Sequence, residues 1–242
     1  MADPVEAVVF DWGGTLSVFV TVELVDAWRL VARHLDPDRE DEITARLIQV
    51  EADFWASVTS HQRSGTLADL VAAATKALGI DVGEALLEEA AVRHLDAWTP
   101  HIRHDADAAP TLAALRDDGL RIGLLSNTHW PRTFHERFLE RDGLAGLIDA
   151  RLYTSEMEFQ KPHATAFWAS LDALGVDDPA SAVFVGDRPF DDITGAQAVG
   201  MRTVLRPNPA IADTTPVQPD AVIHSLPELL PMIRSWRRPR PA

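Results

Sequence analysis

AVFVGDRPFDDITGAQAVGM, residues 182–201, changes character twice within one short span. Ala182 to Val185 form a continuous apolar run, the signature of a fully buried strand. Asp187, Asp191 and Asp192 follow at once. Ile193 to Val199 then read as a short helix, and Gly200 stops it. Anions are favoured at the start of any helix. These carboxylates therefore gain meaning only from what other strands deliver beside them.

The same form recurs along the chain. Ala7 to Phe10 read as a strand, and Asp11 follows it in VVFDWGGTLS, residues 8–17. Arg121 to Leu125 read as a strand, followed by Ser126 and Asn127. A short strand near Arg151 to Thr154 precedes Lys161 in TSEMEFQKPHATAF, residues 154–167. Arg202 to Leu205 and Ala221 to Ile223 close the series. Between strands lie helices. Pro110 opens one carrying Leu112 and Leu115, which Gly119 ends, and Pro162 opens one carrying Phe167, Leu171 and Leu174, which Gly175 ends. Alternation of this kind gives βαβ units, hence a parallel sheet with helices on both faces.

One stretch breaks the alternation. From residue 17 to about 104 only helical spacing appears. Ile43, Leu47, Val50 and Phe54 recur on one face, Thr66 caps a helix through Leu67, Leu70, Val71 and Leu78, and Leu87, Ala91, Leu95 and Trp98 mark another. The expected architecture is α/β: a Rossmann-like parallel sheet core over 1–16 and 105–233, with an all-helical domain inserted at 17–104. Two chain crossings make a natural hinge over the sheet edge. Residues 234–242, with Arg234, Arg237, Arg238 and Arg240 among prolines, read as a flexible solvated tail. Trp28, Phe54, Trp55 and Trp98 sit at helical spacing, which favours core packing over the lining of a pocket.

Composition narrows the function. A chain of 242 residues with 46% hydrophobic content can bury a sizeable core. Its formal net charge of -15 repels phosphate backbones and anionic membranes, so neither nucleic acid nor membrane is an expected partner. The start, MADPVEAVVF, lacks the basic region of a signal peptide, and no apolar run approaches the roughly 18 residues that a membrane helix needs. There are no cysteines, which excludes thiolate metal sites and suits a cytoplasmic location. The oligomeric state is not encoded in any motif.

In open parallel sheets, ligands bind beyond the carboxyl ends of the strands. Asp11, Ser126, Asn127, Lys161, Asp187 and Asp192 would all converge there. Each alone has an ordinary explanation as a turn or surface residue. Lys161 is one of two lysines against twenty arginines, so a compact point charge was chosen over a planar one. Two like charges about 4 Å apart repel by roughly 4 kcal/mol at an effective dielectric near 20. Several carboxylates in one cleft therefore need compensation, or take up protons. Lysine and a divalent cation supply it, and an oxygen-rich site with room for water suits Mg²⁺. Such an ion would also draw a phosphate against the negative field of the chain.

Over essentially its whole length the sequence resembles the haloacid dehalogenase-like hydrolases. FDWGGTL is similar to the first family motif, LLSNT to the second, Lys161 followed by Pro162 to the third, and VGDRPFDDITGAQAVGM to the fourth. The helical insert resembles the C1 cap of that family. The resemblance implies a phosphatase acting on a small phosphorylated metabolite. Asp11 would be the nucleophile, forming an aspartyl-phosphate that water cleaves. Ser126 would hold phosphate with Asn127 and Lys161, Gly14 would let the backbone approach closely, and Lys161 would orient Asp11. Mg²⁺ would be held by Asp11, the Gly13 carbonyl and Asp187, with Asp192 supporting that shell.

Position 13 departs from the pattern. Phosphatases of the family carry a second aspartate two residues after the nucleophile, which protonates the leaving group and then activates water. Here that residue is Gly13. General acid–base catalysis is worth typically about 10² to 10⁴-fold. An acid borrowed from cap or hinge is one solution, with Glu51, His61, His101, His104 and His129 as candidates. Two other chemistries need no aspartate there: haloacid dehalogenation, where halide leaves without a proton, and phosphonoacetaldehyde hydrolysis, which needs a cap lysine. The only lysine in the cap is Lys76. A protein that binds metal or ligand without turnover is a further alternative.

Overall fold

In the computed structural model, residues 5–20, 23–211 and 215–237 are described. The chain start, and Arg238 and Arg240 of the expected tail, lie outside them. Six parallel strands form one sheet: β1 (Ala7–Phe10), β2 (Arg121–Ser126), β3 (Ala150–Tyr153), β4 (Ala182–Gly186), β5 (Arg202–Leu205) and β6 (Ala221–Val222), in the order β3-β2-β1-β4-β5-β6. Register fixes the alignment of the strand ends: Phe10 lies opposite Leu124 on one side and Val185 on the other. The chain moves outward from β1 to β2 and β3, then returns to the opposite side of β1 at β4. Sheet order therefore reverses between β1 and β4, and a crevice opens there at the carboxyl ends.

Side chains alternate across the sheet, as a two-residue repeat demands. Val8 and Phe10 face one apolar layer, Ala7 and Val9 the other. The first layer is closed by α5 (Ala108–Asp117), α6 (Arg132–Arg141) and α9 (Leu229–Arg237), through Leu112, Phe138 and Ile233. The second is closed by α7 (Ala164–Leu174) and α8 (Gly195–Ala198), through Phe167, Leu171 and Ala196. Helices cover both faces, as expected.

Four helices occupy the inserted stretch: α1 (Leu24–Leu35), α2 (Glu40–His61), α3 (Leu67–Ala77) and α4 (Glu84–Trp98). Thr66 caps α3 in a reciprocal box with Asp69, which satisfies two otherwise orphaned backbone donors. Apolar packing runs without a break from Trp28, Ile43 and Leu95 of these helices into the first layer of the core. The two crossings lie side by side. The amide of Val18 donates to the Arg103 carbonyl (2.9 Å) and that of Asp105 to the Leu16 carbonyl (2.9 Å). A second attachment joins the loop after α2 to the segment before Lys161. Ser64 N donates to Glu158 O (3.0 Å) and Gln160 N to Gln62 O (2.9 Å), while the Gln160 side chain donates to Arg63 O (2.9 Å).

Two expectations need correction, and one helix is additional. Residues 234–237 of the expected tail belong to α9, and Arg234 donates to Asp118 at 2.9 and 3.0 Å, while 238–242 lie outside the described residues. The helix placed at Ile193–Val199 is a π-helical segment, Pro189–Thr194, that runs into α8. Helix α6 had no counterpart in the sequence reading. No helix among the described residues is long and apolar enough to cross a membrane.

Candidate active site

Asp11 and Asp187 leave adjacent strands at the point where the sheet order reverses. The amide of Asp11 still donates to Val185 O (2.9 Å), so its carboxylate is held by an extension of the β1–β4 ladder. Lys161, on the loop between β3 and α7, lies 1% exposed beneath them. Its Nζ donates to Asp11 Oδ1 and Asp192 Oδ1, each at 2.7 Å. Burial opposes its charge most strongly, but Asp11 and Asp192 together outweigh burial and hold the ammonium protonated.

Oxygens of Asp11, Asp187 and Asp192 all lie within 4.8 Å of one another. They are not equivalent. Asp192 accepts from Lys161 Nζ through one oxygen and from the Arg188 amide (2.9 Å) through the other. Both of its oxygens already have protein donors. Asp187 accepts from Asn208 Nδ2 at 3.0 Å through Oδ2, and its Oδ1 is buried without a partner among the described residues. Burial, reinforced by Asp11 and Asp192, pushes Asp187 up to about 8. Asp11 is raised as well, by burial first, against the pull of Lys161. An orphaned buried carboxylate oxygen beside a second carboxylate fits a hard, oxygen-preferring dication, with Asp11 and Asp187 as its natural holders.

Glycines shape this cleft. A Cβ on Gly14, whose φ is +83°, would stand 1.9 Å from Asp187 Oδ2. One on Gly186 would stand 2.2 Å from Asp192 Oδ2. Both positions exclude side chains so that carboxylates can occupy the space. Gly13 is different: a Cβ there meets nothing within 4 Å. The missing aspartate is thus not excluded by crowding.

Asn127 and Gly14, expected beside the substrate, both line the cleft, and their polar groups also serve the protein. Asn127 accepts from the Lys161 amide (2.9 Å) and donates to the Lys161 carbonyl (2.9 Å), so its side chain fixes the lysine backbone. The Gly14 amide donates to Ser17 O (3.1 Å). Ser126, at the end of β2, lines the cleft as expected. Two residues escaped the sequence reading. Arg188 also lines the cleft, and Asn208 holds Asp187 from 21 positions away in the chain. Nothing in the local pattern around Asn208 marks it.

Above the carboxylates opens a cavity of about 380 Å³ between core and inserted helices. Trp55 lines it, contrary to the core packing expected of it; Trp98 both lines it and packs against the core, as Phe54 does, and Trp28 is fully buried. The cap and hinge candidates separate clearly. His104 accepts from Trp12 Nε1 (3.0 Å) and pairs with Asp142 (2.7 Å), so both ring nitrogens serve the hinge. His61 is exposed and off the cavity, and Lys76 is an exposed residue in the last turn of α3, also off the cavity. Glu51, His101 and His129 line it. Glu51, 5% exposed, accepts from Trp28 Nε1 at 2.7 Å, and its other oxygen lies 3.7 Å from His129 Nε2.

A family model for haloacid dehalogenase-like hydrolases matches residues 5–200. The glyceraldehyde 3-phosphate phosphatase of Methanopyrus kandleri is 27% identical over 241 residues, which span 95% of this chain and 97% of that protein. The ribulose-1,5-bisphosphate 5-phosphatase of Halopiger xanaduensis is 40% identical over 100 residues, 41% of this chain and 40% of that one. A crystal structure of a HAD phosphatase from Thermococcus onnurineus superposes with a TM-score of 0.63 at 25% identity, covering 94% of this chain and 97% of that one. A 2-haloacid dehalogenase from Pseudomonas syringae pv. Tomato superposes with a TM-score of 0.70 at 24% identity, covering 96% and 98%, a likeness of fold.

Proposed function

The chain belongs to the haloacid dehalogenase-like hydrolases, and from that premise we propose that it is a Mg²⁺-dependent phosphatase of small phosphorylated metabolites, with Asp11 as the nucleophile. The observation that carries this is the pairing of Asp11 with Lys161 beside the unpartnered oxygen of Asp187. Asp11, Asp187 and the Gly13 carbonyl would hold Mg²⁺, which neutralises carboxylate and phosphoryl charge when bound.

Lys161 keeps one oxygen of Asp11 engaged and so fixes the direction of the other. Ser126, Lys161 and Arg188 border the space where phosphoryl oxygens would lie, offering a hydroxyl and two cations. Asp11 attacks phosphorus, the bond to the ester oxygen breaks, and water then cleaves the aspartyl-phosphate. Asn127 and Asp192 act one step removed, holding Lys161 in place. Helices α1 to α4, taken as a cap over 17–104, shield this chemistry from bulk water.

Gly13 favours a second reading, haloacid dehalogenation, in which no proton need reach the leaving group. A panel of phosphate esters and 2-haloacids, assayed with Mg²⁺ and with EDTA, separates the two. Phosphate release that needs Mg²⁺ and is lost in Asp11→Asn, a change that keeps shape and removes the attacking anion, is the expected result. Halide release without phosphate release would reverse the assignment.

A further inference from the structure

We propose that Glu51 is the catalytic residue that exchanges the proton with the leaving-group oxygen, the function the family normally gives to the side chain absent at Gly13. The inference rests on the phosphatase function proposed above. A phosphoryl group seated between Asp11, Ser126 and Lys161 leaves its ester oxygen pointing toward the cavity, since those residues form its floor. The acid must therefore come from the residues that line that cavity.

Few of them qualify. Asp11 is the attacking group, and Lys161 is bound to two carboxylates. Arg103 and Arg188 do not release protons near neutrality. His135 is fully buried against Thr128 Oγ1 (3.1 Å), and burial pushes it down to about 3. His129 is likewise pushed down to about 3 by burial, so it stays neutral. His101 is exposed in the turn Thr99–His101 that follows α4. Glu51 remains.

Its surroundings suit the task. The carboxyl projects from the middle of α2 into an aromatic pocket, where desolvation raises its affinity for a proton. Hydrogen bonds from Trp28 and Trp55 oppose that effect without reversing it, and no charged group among the described residues does: the titratable groups facing it are His129 and His94, and burial keeps both neutral. Trp28 fixes Oε2 by its indole N–H, so the carboxyl cannot rotate freely. A carboxyl kept protonated by an apolar, tryptophan-lined pocket is an established way to make a general acid near neutral pH.

The step balances. As Asp11 bonds to phosphorus, the bond from phosphorus to the ester oxygen breaks and Glu51 gives its proton to that oxygen. An alcohol leaves and Glu51 is a carboxylate. A water then attacks the phosphoryl group on Asp11, passing its proton to Glu51, and phosphate and both carboxyl groups are restored.

The test compares Glu51→Gln with wild type on an aryl phosphate ester, whose leaving group needs no proton, and on an alkyl phosphate ester, whose leaving group does. Glutamine keeps an acceptor for Trp28. The expected result is a fall of about 10²-fold or more in alkyl-ester kcat relative to aryl-ester kcat, with loss of the basic limb of the alkyl-ester pH profile. An unchanged ratio, whether both rates fall or neither does, overturns the assignment to Glu51. If wild type hydrolyses neither ester with Mg²⁺ present, the phosphatase function itself fails, and this inference fails with it.

Discussion

Replacing Lys161 with methionine removes the one cation buried between Asp11 and Asp192 while keeping most of its volume. Each N–O separation is 2.7 Å, which at an effective dielectric near 20 corresponds to about 6 kcal/mol of attraction per pair. Desolvation of the three charges cancels much of that, and deletion of one partner from a buried set costs about 3–5 kcal/mol. Methionine can pack where Nζ now stands over the Phe184 ring, 5.1 Å from its centroid, so a cavity adds little. Protonation of the carboxylates would soften the loss at lower pH. Their affinity for protons is raised on folding, so the folded protein gains stability as pH falls and loses it as pH rises toward the value near 8 of Asp187. The measurement is therefore urea unfolding at about pH 9, above that window. In EDTA, Lys161→Met should lose about 3–5 kcal/mol relative to wild type. With millimolar Mg²⁺ the loss should fall to less than half, because a dication at Asp11 and Asp187 offsets the same charge. A loss below about 1 kcal/mol, in the range of an exposed pair, would refute the electrostatic account. A loss of equal size with and without Mg²⁺ would refute the shared cation.

Two further outcomes are open to direct measurement. A Cβ at position 13 meets nothing within 4 Å, so Gly13→Asp in a Glu51→Gln background should restore alkyl-ester turnover by about 10²-fold or more; steady-state kcat with Mg²⁺ reads this, and no recovery in a folded double variant counts against a simple absence of acid at that position. His94, His129 and His135 are each held down to about 3 by burial, below the unfolded value near 6.5. Their contribution to stability is complete above that unfolded value and is lost as pH falls toward 3. Between about pH 7.5 and 5.5 this amounts to about 4 kcal/mol in all. Urea unfolding with Mg²⁺ present, which keeps the carboxylates ionised, should show it, and a flat profile would contradict it.

The strands and the residues that end them were legible because each is a local pattern. A short apolar run followed by a polar residue needs no tertiary knowledge, and Asp11, Ser126, Lys161 and Asp187 were found in this way. What stayed hidden depends on partners distant in sequence. Helix α6 reads RTFHERFLER, so polar that only Phe134, Phe138 and Leu139 mark its buried side. Asn208 acquires significance only when β5 brings it against Asp187. Asn127 looked like a ligand for substrate, and only folding shows both ends of its amide committed to Lys161. Trp55 and Trp98 share helical spacing with core residues, and spacing alone does not tell a packed face from one bordering a cavity. Glu51 occupied a position in α2 between apolar neighbours, and the sequence offered no sign that Trp28 would receive it.

The loop after α2 is fastened to residues 158–160, and the next residue in the chain is Lys161. Swinging the helices away to admit a substrate has to release those fastenings. The stretch that carries the ammonium is then freed on one side, while Asn127 still grips it on the other. Any such movement would in this way be mechanically tied to the placement of Lys161, the one lysine or arginine buried among the described residues.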